Sequence, residues 1–460
     1  MQRETIRFSF EAGTIVVEGI HDKDLPEFPW VQFDSRTRQY RAEAKNYRPL
    51  VEKLVANSWP YVDEAKKYEK WDGELIQNRN PFPHQIEAVQ QWWQRGARGL
   101  VVLPTGTGKT YVAILAIART KRPALIVTPT IDLLHQWQGQ LSSAFAMKHP
   151  VGMLGGGEYN LQPLTVTTYD SAYIHLDRIG NRFGLLIFDE CHHLPGPSYG
   201  MIARGSIAPF RLGLTATPER TDCQEDQYPD LLGPLVYRRE INELSGDFLA
   251  EYRTQKVYVD LTPHEQQQYA EARRIYRSFL EESGISISGP NGWQRFIFEA
   301  SRSEIGWKAY KAYRLSKQLE RAATGKMQTL EKLMCEHYRD RIIIFTADNA
   351  TVYQIARTYL VPPITHQTRA KERKEILAKF HSGEYQVVVT SQVLNEGVDV
   401  PAANVGIVLS GTGTIRENVQ RLGRLLRKQQ GKQAILYELV ARDTAEEFTS
   451  ERRRQHRAFQ

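Results

Sequence analysis

The sequence contains few cysteines and no long apolar run. Its three cysteines, Cys191, Cys223 and Cys335, lie far apart and form no Cys-x-x-Cys pair. Neither a disulfide framework nor a zinc ribbon is therefore expected, and structural thiols are predicted instead. No apolar run reaches the roughly 18 residues that cross a bilayer, and residues 1–10 lack the apolar core of a signal peptide. We therefore expect a cytosolic protein that does not contact a membrane.

The composition describes a folded, mildly basic protein. Hydrophobic residues make up 41% of the 460 residues and aromatic residues 10%, which is enough for two α/β cores and additional small units. Sixty Lys and Arg against 53 Asp and Glu give a net charge of +7, which favours a polyanionic partner through phosphate contacts. Many basic proteins bind no nucleic acid, so the charge alone leaves the class of partner open.

Residues 1–80 are predicted to form a small separate unit. Short strand-like runs are followed by one helical stretch, and the segment 78–83 is rich in residues that form turns and exclude helix. This segment predicts a linker before the next domain. The predicted strands of the small unit are 7–10, 14–18 and 31–34, and its predicted helix is 46–57.

The remainder of the chain predicts two doubly wound α/β domains, 81–245 and 246–460. Short continuous apolar runs alternate with segments of helical length, as expected for parallel strands that are buried on both faces. The predicted strands of the first domain are 100–103, 124–128, 164–168, 185–188 and 211–215. The predicted strands of the second are 257–259, 342–346, 387–390, 405–409 and 435–439.

A charged, aromatic and helix-prone stretch, 262–325, interrupts the second domain and predicts a helical insertion. Two interpretations of its aromatic residues stay open, namely a core of its own, which we favour, and direct contact with nucleic acid. The basic and aromatic residues concerned are Arg273, Arg274, Arg277, Trp293, Arg295, Phe296, Arg302 and Trp307.

Residues 103–110 predict a phosphate-binding loop, because they follow a buried strand and precede a helix-forming run. The glycines allow backbone N–H groups to approach phosphates, Lys109 neutralises the β and γ charge, and Thr110 offers a hydroxyl to Mg²⁺. Leu103 stands where the strict GxxxxGK[ST] pattern has Gly, so the match is to the shorter TGxGKT form. The predicted nucleotide ligands are Thr105, Gly106, Thr107, Gly108, Lys109 and Thr110.

Two adjacent carboxylates end the predicted strand at 185–188. Their position at the carboxyl edge of a parallel sheet suits Asp189 as the Mg²⁺ ligand and Glu190 as the group that polarises the attacking water. We interpret His192 as a relay between the nucleotide and neighbouring loops. Adjacent histidines are expected to point apart, so His192 and His193 do not predict a metal site.

Polar groups elsewhere suggest coupling between hydrolysis and movement. The segment 214–217 ends an apolar run with two hydroxyls that suit switchable hydrogen bonds. Gln420, Arg424 and Arg427 share nearly one helical face and are predicted to act as catalytic residues of the arginine-finger type, although a basic solvated helix is the competing interpretation. The second domain has a polar loop at 390–399 but no phosphate loop of its own.

Taken in order, these segments resemble the motifs of superfamily 2 helicases and, more narrowly, of the XPB family in its compact archaeal or prokaryotic form. That family comprises DNA helicases and translocases of nucleotide excision repair and transcription initiation. Segments 33–40, 182–190 and 206–217 support the narrower resemblance. The motifs are TGTGKT (105–110), TPT (128–130), TTYDSA (167–172), DECH (189–192), LTAT (214–217), IIIFT (342–346), SQVLNEGVDVP (391–401) and QRLGRLLR (420–427).

The resemblance implies an α/β fold with two tandem RecA-like parallel-sheet domains, a small α+β damage-recognition-like domain and a thumb-like insertion. It implies that Gln85 reads adenine and that Asp399, with Gly397 beside it, contacts the ribose. It also implies a nucleic-acid track. The residues assigned to this track are Thr128, Thr168, Arg220, Asp222, Thr346, Thr390 and Gln392.

Two departures from the family pattern bear on these expectations. The Arg-Glu-Asp signature implicated in duplex opening reads Arg220-Thr221-Asp222, so strand separation is less secure than ATP hydrolysis. The Arg that usually precedes the adenine-reading Gln is absent from residues 82–85, which permits looser nucleotide selectivity.

The expected activity is that of an ATP-dependent, Mg²⁺-requiring DNA helicase or translocase with the family's 3′ to 5′ polarity. A double-stranded-DNA translocase without strand separation and an ATP-gated DNA clamp are the alternatives. An RNA helicase stays open because a phosphate track does not distinguish sugars. The resemblance also implies a prokaryotic cytosolic location and a partner protein, either a nuclease or a repair or transcription assembly.

Overall fold

The computed structural model describes residues 4–68, 70–76, 79–220, 222, 224–244, 248, 251–287, 291–391, 403–411 and 433–454. The chain divides into two compact units, Met1–Glu240 and Ile241–Gln460. The domain limits predicted at residues 80/81 and 245/246 stay predictions. None of the helices in these ranges has the length and apolar character needed to cross a bilayer.

A five-stranded sheet opens the first unit. Its strand order is β3-β4-β2-β1-β5, with antiparallel pairs except for the parallel contact between β1 and β5. One helix, residues 47–56, packs its buried Tyr47, Leu50 and Leu54 against a core that includes Phe8 and Phe28. The strands are β1 (Ile6–Glu11), β2 (Thr14–Glu18), β3 (Gln32–Asp34), β4 (Gln39–Glu43) and β5 (Tyr61–Asp63), and the helix is α1 (Tyr47–Ala56).

This small sheet is anchored to the larger sheet of the same unit. Arg48 donates to the carbonyl of Gly96 over 2.5 Å, and its guanidinium lies 5.8 Å from the centre of the Phe210 ring. The amide of Asn181 donates to the carbonyl of Ala65 over 2.9 Å. These charge-assisted and backbone contacts make the N-terminal sheet part of one unit with the α/β sheet.

The second sheet of the first unit has eight strands in the order β11-β10-β12-β8-β13-β14-β7-β15. All of its pairs are parallel except β10 with β11, so the carboxyl ends of the central strands lie along one edge. Its strands are β7 (Arg98–Val102), β8 (Ala124–Thr128), β10 (Gly152–Gly155), β11 (Glu158–Asn160), β12 (Leu164–Thr168), β13 (Leu185–Asp189), β14 (Phe210–Thr215) and β15 (Leu235–Arg238).

Helices follow these strands as the predicted α/β alternation requires. The helices are α2 (Pro83–Gln94), α3 (Lys109–Thr120), α4 (Ile131–Ala144), α5 (Tyr169–Ile174), α6 (Leu176–Ile179), α7 (Gly200–Arg204) and α8 (Tyr228–Leu231). A two-stranded sheet pairs β6 (Glu74–Leu75) with β9 (Phe145–Ala146).

The second unit contains a six-stranded, fully parallel sheet in the order β16-β21-β20-β17-β19-β18. Its strands are β16 (Glu251–Val259), β17 (Ile342–Phe345), β18 (Pro363–Ile364), β19 (Val387–Thr390), β20 (Val405–Val408) and β21 (Gln433–Ala441). Its helices are α9 (Ile241–Leu244), α10 (Pro263–Glu282), α11 (Gly292–Ala300), α12 (Glu304–Ala322), α13 (Thr324–Glu336), α14 (Asn349–Tyr359), α15 (Ala370–Ser382) and α16 (Ala445–Arg454).

The stretch predicted as a helical insertion is helical and lies between β16 and β17. Phe296 is fully buried in a core formed by α10, α11 and α12, as the favoured interpretation requires. Trp293 and Trp307 are 42% and 49% exposed. The aromatic residues therefore divide, because some fill the insertion's own core while others face solvent and leave nucleic-acid contact open.

The prediction of structural thiols holds for only one of the two described cysteines. Cys191 is fully buried beneath β14, whereas Cys335 on α13 is exposed. The prediction was wrong for Cys335 because its place on the helix faces away from the sheet, which sequence spacing did not reveal. Cys223 lies outside the described residues.

Candidate nucleotide site at the edge of the first α/β sheet

The predicted phosphate loop connects β7 to α3. Gly106 and Gly108 have φ angles of +90° and +83°, in the left-handed region that glycine adopts without strain. A Cβ atom at Gly108 would lie 2.4 Å from Nε2 of Gln85. Both the backbone angle and the close approach of Gln85 therefore require glycine at this position.

Two side chains from the start of α2 bind the main chain of the phosphate loop. Nε2 of Gln85 donates to the carbonyl of Thr107 over 3.0 Å, and its Oε1 accepts from the N–H of Phe82 over 2.9 Å. Nε2 of His84 lies 3.0 Å from the same Thr107 carbonyl, and burial lowers the pKa of His84. Gln85 is fully buried and holds the loop in place, so its contact with adenine stays a prediction.

The polar groups of the loop suit a phosphate ligand. Nζ of Lys109 donates to the carbonyl of Leu103 over 3.2 Å and is only partly buried. The hydroxyl of Thr105 is buried and has no hydrogen-bond partner within the described residues. Thr110 occupies the first turn of α3, where the helix N-terminus attracts anions. A cation, an unpaired hydroxyl and a helix N-terminus together match the donors that bound phosphates require.

Asp189 ends β13 and carries a buried carboxylate. Its Oδ2 accepts from Nε1 of Trp137 over 2.7 Å, and its Oδ1 accepts from the N–H of Glu190 over 3.1 Å. Burial, followed by the nearby charge of Glu190, raises the pKa of Asp189 to about 6, while Trp137 and Lys109 act in the opposite direction. A divalent cation would remove this unfavourable burial of negative charge, which fits the predicted Mg²⁺ ligand.

Glu190 adopts a backbone conformation that is uncommon for a residue with a side chain. Its φ of +44° lies in the left-handed region, and such strain is typical of functional positions. The side chain is 14% exposed, and Oε2 lies 3.5 Å from Nδ1 of His192. The left-handed backbone at Glu190 therefore directs its carboxylate towards the 3-10 helix that follows, Cys191–His193.

His192 connects the carboxylates to the end of β14. Its Nδ1 lies 3.1 Å from the hydroxyl of Thr215, and that hydroxyl accepts from the N–H of Thr217 over 3.2 Å. The ring is fully buried. The predicted relay position of His192 is thus found between Glu190 and the hydroxyls of segment 214–217, and its role in transmission stays a prediction.

Arg220 extends this connection to the predicted nucleic-acid residues. Its guanidinium binds both carboxylate oxygens of Asp222 over 2.7 and 2.6 Å and also donates to the carbonyl of His192. The hydrogen bond from Arg220 lowers the pKa of Asp222 to about 2. Arg220 and Asp222 therefore form an ion pair that is tied to the nucleotide side of the sheet.

The expectation that His192 and His193 point apart was wrong. Their ring centres lie 4.4 Å apart, because the 3-10 helix places neighbouring side chains closer than an extended chain does. The ranges that the structure describes contain no group of three or more His, Cys, Asp and Glu residues suited to a metal. A Mg²⁺ ion would therefore depend on Thr110, Asp189 and the oxygens of the nucleotide.

Three family models match the chain in sequence order. A model of the xeroderma pigmentosum group B helicase damage recognition domain matches residues 8–65, and a model of the res subunit of type III restriction enzymes matches residues 78–220. A model of the ERCC3/RAD25/XPB C-terminal helicase matches residues 309–460. The matched segments cover most of the five-stranded sheet, seven of the eight strands of the larger sheet of the first unit, and residues 309–460 of the second unit.

A relative of almost the same length decides the family. The chain is 40% identical to "DNA 3'-5' translocase XPB2" of Sulfurisphaera tokodaii over 93% of this chain and 96% of that protein. The chain belongs to the XPB family of superfamily 2 helicases. It is also 29% identical to "DNA 3'-5' helicase XPB" of Mycobacterium tuberculosis, over 81% of this chain and 62% of that protein.

A solved structure supports the fold. The helicase domain of Hef from Pyrococcus furiosus aligns with 80% of this chain and 98% of its own, with a TM-score of 0.52 and 20% sequence identity. The predicted α/β class with two RecA-like parallel-sheet domains is therefore confirmed.

The four threonines assigned to the nucleic-acid track of this XPB-family protein are buried at strand ends. Their hydroxyls donate within the fold: Thr128 to the carbonyl of Thr167, and Thr346 to that of Asp348. The hydroxyl of Thr168 caps α5 by accepting from the N–H of Ser171 over 3.2 Å, and that of Thr390 donates to the carbonyl of Ser391. These hydroxyls shape the edge loops, and their contact with DNA stays a prediction.

Six predicted site residues lie outside the described ranges. They are Gln392, Gly397, Asp399, Gln420, Arg424 and Arg427. Sequence reasoning missed two residues that contact Asp189. The indole N–H of Trp137 donates to the Asp189 carboxylate, and the hydroxyl of Tyr169 donates to the Asp189 main-chain carbonyl over 3.1 Å. Tyr169 lies inside the TTYDSA motif, but nothing in the chemistry of a lone Trp at 137 pointed to a partner so far along the chain.

Proposed function

We propose that this XPB-family protein is an ATP-dependent, Mg²⁺-requiring DNA motor that moves with 3′ to 5′ polarity. One observation carries the proposal: a glycine loop with Lys109 and an adjacent carboxylate pair, the buried Asp189 and the partly buried Glu190, occupy one edge of a parallel sheet in the first unit. Such an arrangement is typical of nucleoside triphosphate hydrolysis. Relatives named as DNA 3'-5' translocases and helicases support the polymer and the polarity.

The residues of the first unit would divide the chemistry as follows. The substrate ATP contains the phosphoanhydride that is cleaved. Thr110 and Asp189 would hold Mg²⁺, which would supply positive charge beside the phosphates. Lys109 and the loop N–H groups bind phosphate oxygens. Glu190 accepts a proton from the attacking water, and its contact with His192 orients the carboxylate for this role.

The second unit would supply the positive charge that completes the reaction. The candidates, Gln420, Arg424 and Arg427, belong to the QRLGRLLR segment. Arginine fingers stabilise the negative charge of the transition state and raise the rate of hydrolysis by roughly 10³–10⁵-fold. Movement along DNA follows if this engagement alternates with each hydrolysis. Asp399 with Gly397 would contact the ribose, and Gln392 would contact DNA.

The dependence of ATP turnover on nucleic acid tests the proposal. Turnover should be measured with no nucleic acid, with single-stranded DNA, with duplex DNA and with RNA, at two salt concentrations. We expect DNA to accelerate turnover, with weaker binding at high salt because phosphate contacts release counterions. Equal turnover with and without nucleic acid, together with no salt-sensitive binding, would rule out the motor. Acceleration by RNA alone would reassign the polymer.

A translocase that does not separate strands is the second candidate, and the Arg220–Asp222 pair favours it. The family signature has a third charged residue between these two, whereas this chain has a threonine, and Arg220 is bound to Asp222 and His192. The Sulfurisphaera tokodaii relative is named a translocase. Displacement of a triplex strand without release of duplex strands supports this candidate, and release of duplex strands supports the helicase. Tight ATP-dependent DNA binding with slow turnover would indicate a clamp.

Within the cell, we infer that this activity serves DNA repair or the opening of DNA for transcription. Relatives are named as subunits of general transcription and DNA repair factor IIH, which supports a protein partner such as a repair assembly or a nuclease. Co-purification with the tagged chain from its own host, with and without nuclease digestion of DNA, would separate protein contacts from contacts bridged by DNA. A cytosolic location is part of the same proposal.

A further inference from the structure

Two buried aromatic side chains donate hydrogen bonds to Asp189 from different helices, Trp137 from α4 and Tyr169 from α5. The indole N–H of Trp137 donates to Oδ2 over 2.7 Å, and the hydroxyl of Tyr169 donates to the main-chain carbonyl over 3.1 Å. Both side chains are 2% exposed. One residue is thus held at its carboxylate and at its backbone by donors that lie 52 and 20 residues away in sequence.

Each donor belongs to an element that begins at the same sheet edge. Trp137 lies seven residues after Thr130, the residue that caps α4, which corresponds to about two helical turns. Tyr169 directly follows Thr168, the residue that caps α5. Because helices are stiff over such lengths, a displacement at the start of either helix reaches the buried donor.

The starting ends of these helices are open to solvent, although the donors are not. Ile131 at the start of α4 is 49% exposed, and Asp170 in the first turn of α5 is exposed, although Thr168 and Tyr169 beside it are buried. The glycine turn after β10 packs on both elements, since a Cβ at Gly156 would lie 3.3 Å from Ile131 and one at Gly155 would lie 3.0 Å from the hydroxyl of Ser171. A ligand at this edge would therefore meet both loops together.

The hydrogen bonds leave the carboxylate able to bind a metal. A carboxylate has about four acceptor positions, and those of Asp189 receive one donor from Trp137 and one from the N–H of Glu190. These two bonds fix the orientation of the carboxylate while other lone pairs stay open to a cation. The indole therefore orients the predicted Mg²⁺ ligand without occupying all of its acceptor positions.

We propose that Trp137 and Tyr169 are positioning residues that hold Asp189 from α4 and α5, so that a nucleic acid bound at the sheet edge where these helices begin acts on metal binding at the nucleotide site. The coupling in this inference rests on the proposed motor function. It differs from the connection through His192 and Thr215, because it reaches Asp189 through α4 and α5 and does not involve β14.

Single substitutions that remove the donor and retain an aromatic ring test the proposal, with matched controls. Trp137→Phe removes the indole N–H, and Tyr169→Phe removes the hydroxyl. Trp92→Phe is the control for the first, since the fully buried Trp92 donates to the Arg211 carbonyl over 2.8 Å. Tyr228→Phe is the control for the second, since the buried Tyr228 donates to the Pro218 carbonyl over 3.1 Å.

Two quantities should be measured for each variant of the full chain. The first is the ratio of ATP turnover with DNA to turnover without DNA, and the second is the Mg²⁺ concentration that gives half-maximal binding of a fluorescent ATP analogue. For Trp137→Phe we expect the ratio to fall about ten-fold and the Mg²⁺ midpoint to rise, because a hydrogen bond to a charged group is lost. For Tyr169→Phe we expect a fall of about three-fold, because its acceptor is a neutral carbonyl.

The outcomes separate this inference from the proposed function. Wild-type ratios and midpoints in both test variants, or equal changes in the two controls, would overturn the positioning role. If turnover of the wild-type chain ignored DNA, the proposed function would fail, and a raised Mg²⁺ midpoint in Trp137→Phe would still support the hold on Asp189. An unchanged midpoint in that case would overturn it.

Discussion

Both units begin a helix with a Gly-Lys pair, but the two lysines have opposite environments. Lys109 opens α3 in the first unit, is partly buried and donates to the carbonyl of Leu103 over 3.2 Å. Lys326 lies in the first turn of α13 in the second unit and is fully buried. Its Nζ donates to Oε2 of Glu446 over 2.6 Å and to the carbonyl of Leu409 over 2.7 Å.

The difference explains why the same dipeptide serves two purposes. A charge that is already paired with a buried carboxylate has no reason to leave it for a phosphate, since separating a buried pair is costly. The loop before Lys109 contains two left-handed glycines, whereas α13 begins at Thr324 directly after Ala323. Lys109 is thus available to a ligand, while Lys326 ties α13 to Leu409, which follows β20, and to α16.

The units share another device at the edge of the sheet. The hydroxyl of Thr128 donates to the carbonyl of Thr130, and that of Thr346 donates to the carbonyl of Asp348. In each case the second residue caps the next helix, Thr130 by accepting from Leu133 and Asp348 by accepting from Thr351. A polar strand end can therefore serve the fold even where the family pattern suggests contact with a ligand.

The largest expected effect follows from removal of the presented lysine. We expect Lys109→Ala to lower kcat/KM for ATP by at least about 10⁴-fold, because the charge acts on both the bound and the reacting phosphates. Steady-state hydrolysis with DNA present measures this loss, and unchanged thermal unfolding verifies the fold. Turnover near that of the wild type would remove the distinction between the two lysines.

A smaller loss, confined to the chemical step, is expected in the second unit. Arg427→Ala should lower kcat by about 10³-fold and leave binding of a fluorescent ATP analogue nearly unchanged, because a finger acts on transition-state charge. Arg442→Ala is the control, since Arg442 is 51% exposed and pairs with Asp260 at the surface. Normal hydrolysis by Arg427→Ala would remove the arginine-finger assignment of Arg427.

The paired lysine should matter for stability. Lys326→Met leaves the carboxylate of Glu446 buried without its cation, and we expect the free energy of unfolding to fall by about 3–5 kcal/mol. The double variant Lys326→Met with Glu446→Leu should recover most of this loss, because it removes both charges. Denaturant unfolding measures both variants, and a single variant as stable as the wild type would contradict the contrast with Lys109.

The smallest effects should come from the shared capping device. Thr130→Ala and Asp348→Ala each remove the side-chain acceptor at a helix N-terminus, and each should lower the free energy of unfolding by about 1 kcal/mol. The loss in Asp348→Ala should be the larger, because its carboxylate also accepts from Arg321 over 3.1 Å. A loss in both variants would support the parallel between the units. Loss of DNA binding in Thr130→Ala, with stability unchanged, would instead assign this residue to the ligand.

Local sequence determined most of the strands. The predicted strands 124–128, 164–168 and 387–390 coincide with β8, β12 and β19, because runs buried on both faces of a parallel sheet are continuously apolar. The phosphate loop and the position of Asp189 at the end of β13 were also predictable, since both depend on residues within one strand and the loop that follows it.

Partners that are distant along the chain were decided by the tertiary structure alone. Gln85 is buried because it packs against the phosphate loop, and the hydroxyls of Thr128 and Thr346 donate to main-chain carbonyls within the fold. The environments of Lys109 and Lys326 differ because Lys326 binds Glu446, which lies 120 residues further along the chain. Trp137 meets Asp189 across 52 residues. Spacing in sequence reports which residues share a strand or a helix, whereas hydrogen-bond partners and burial depend on how separate elements pack.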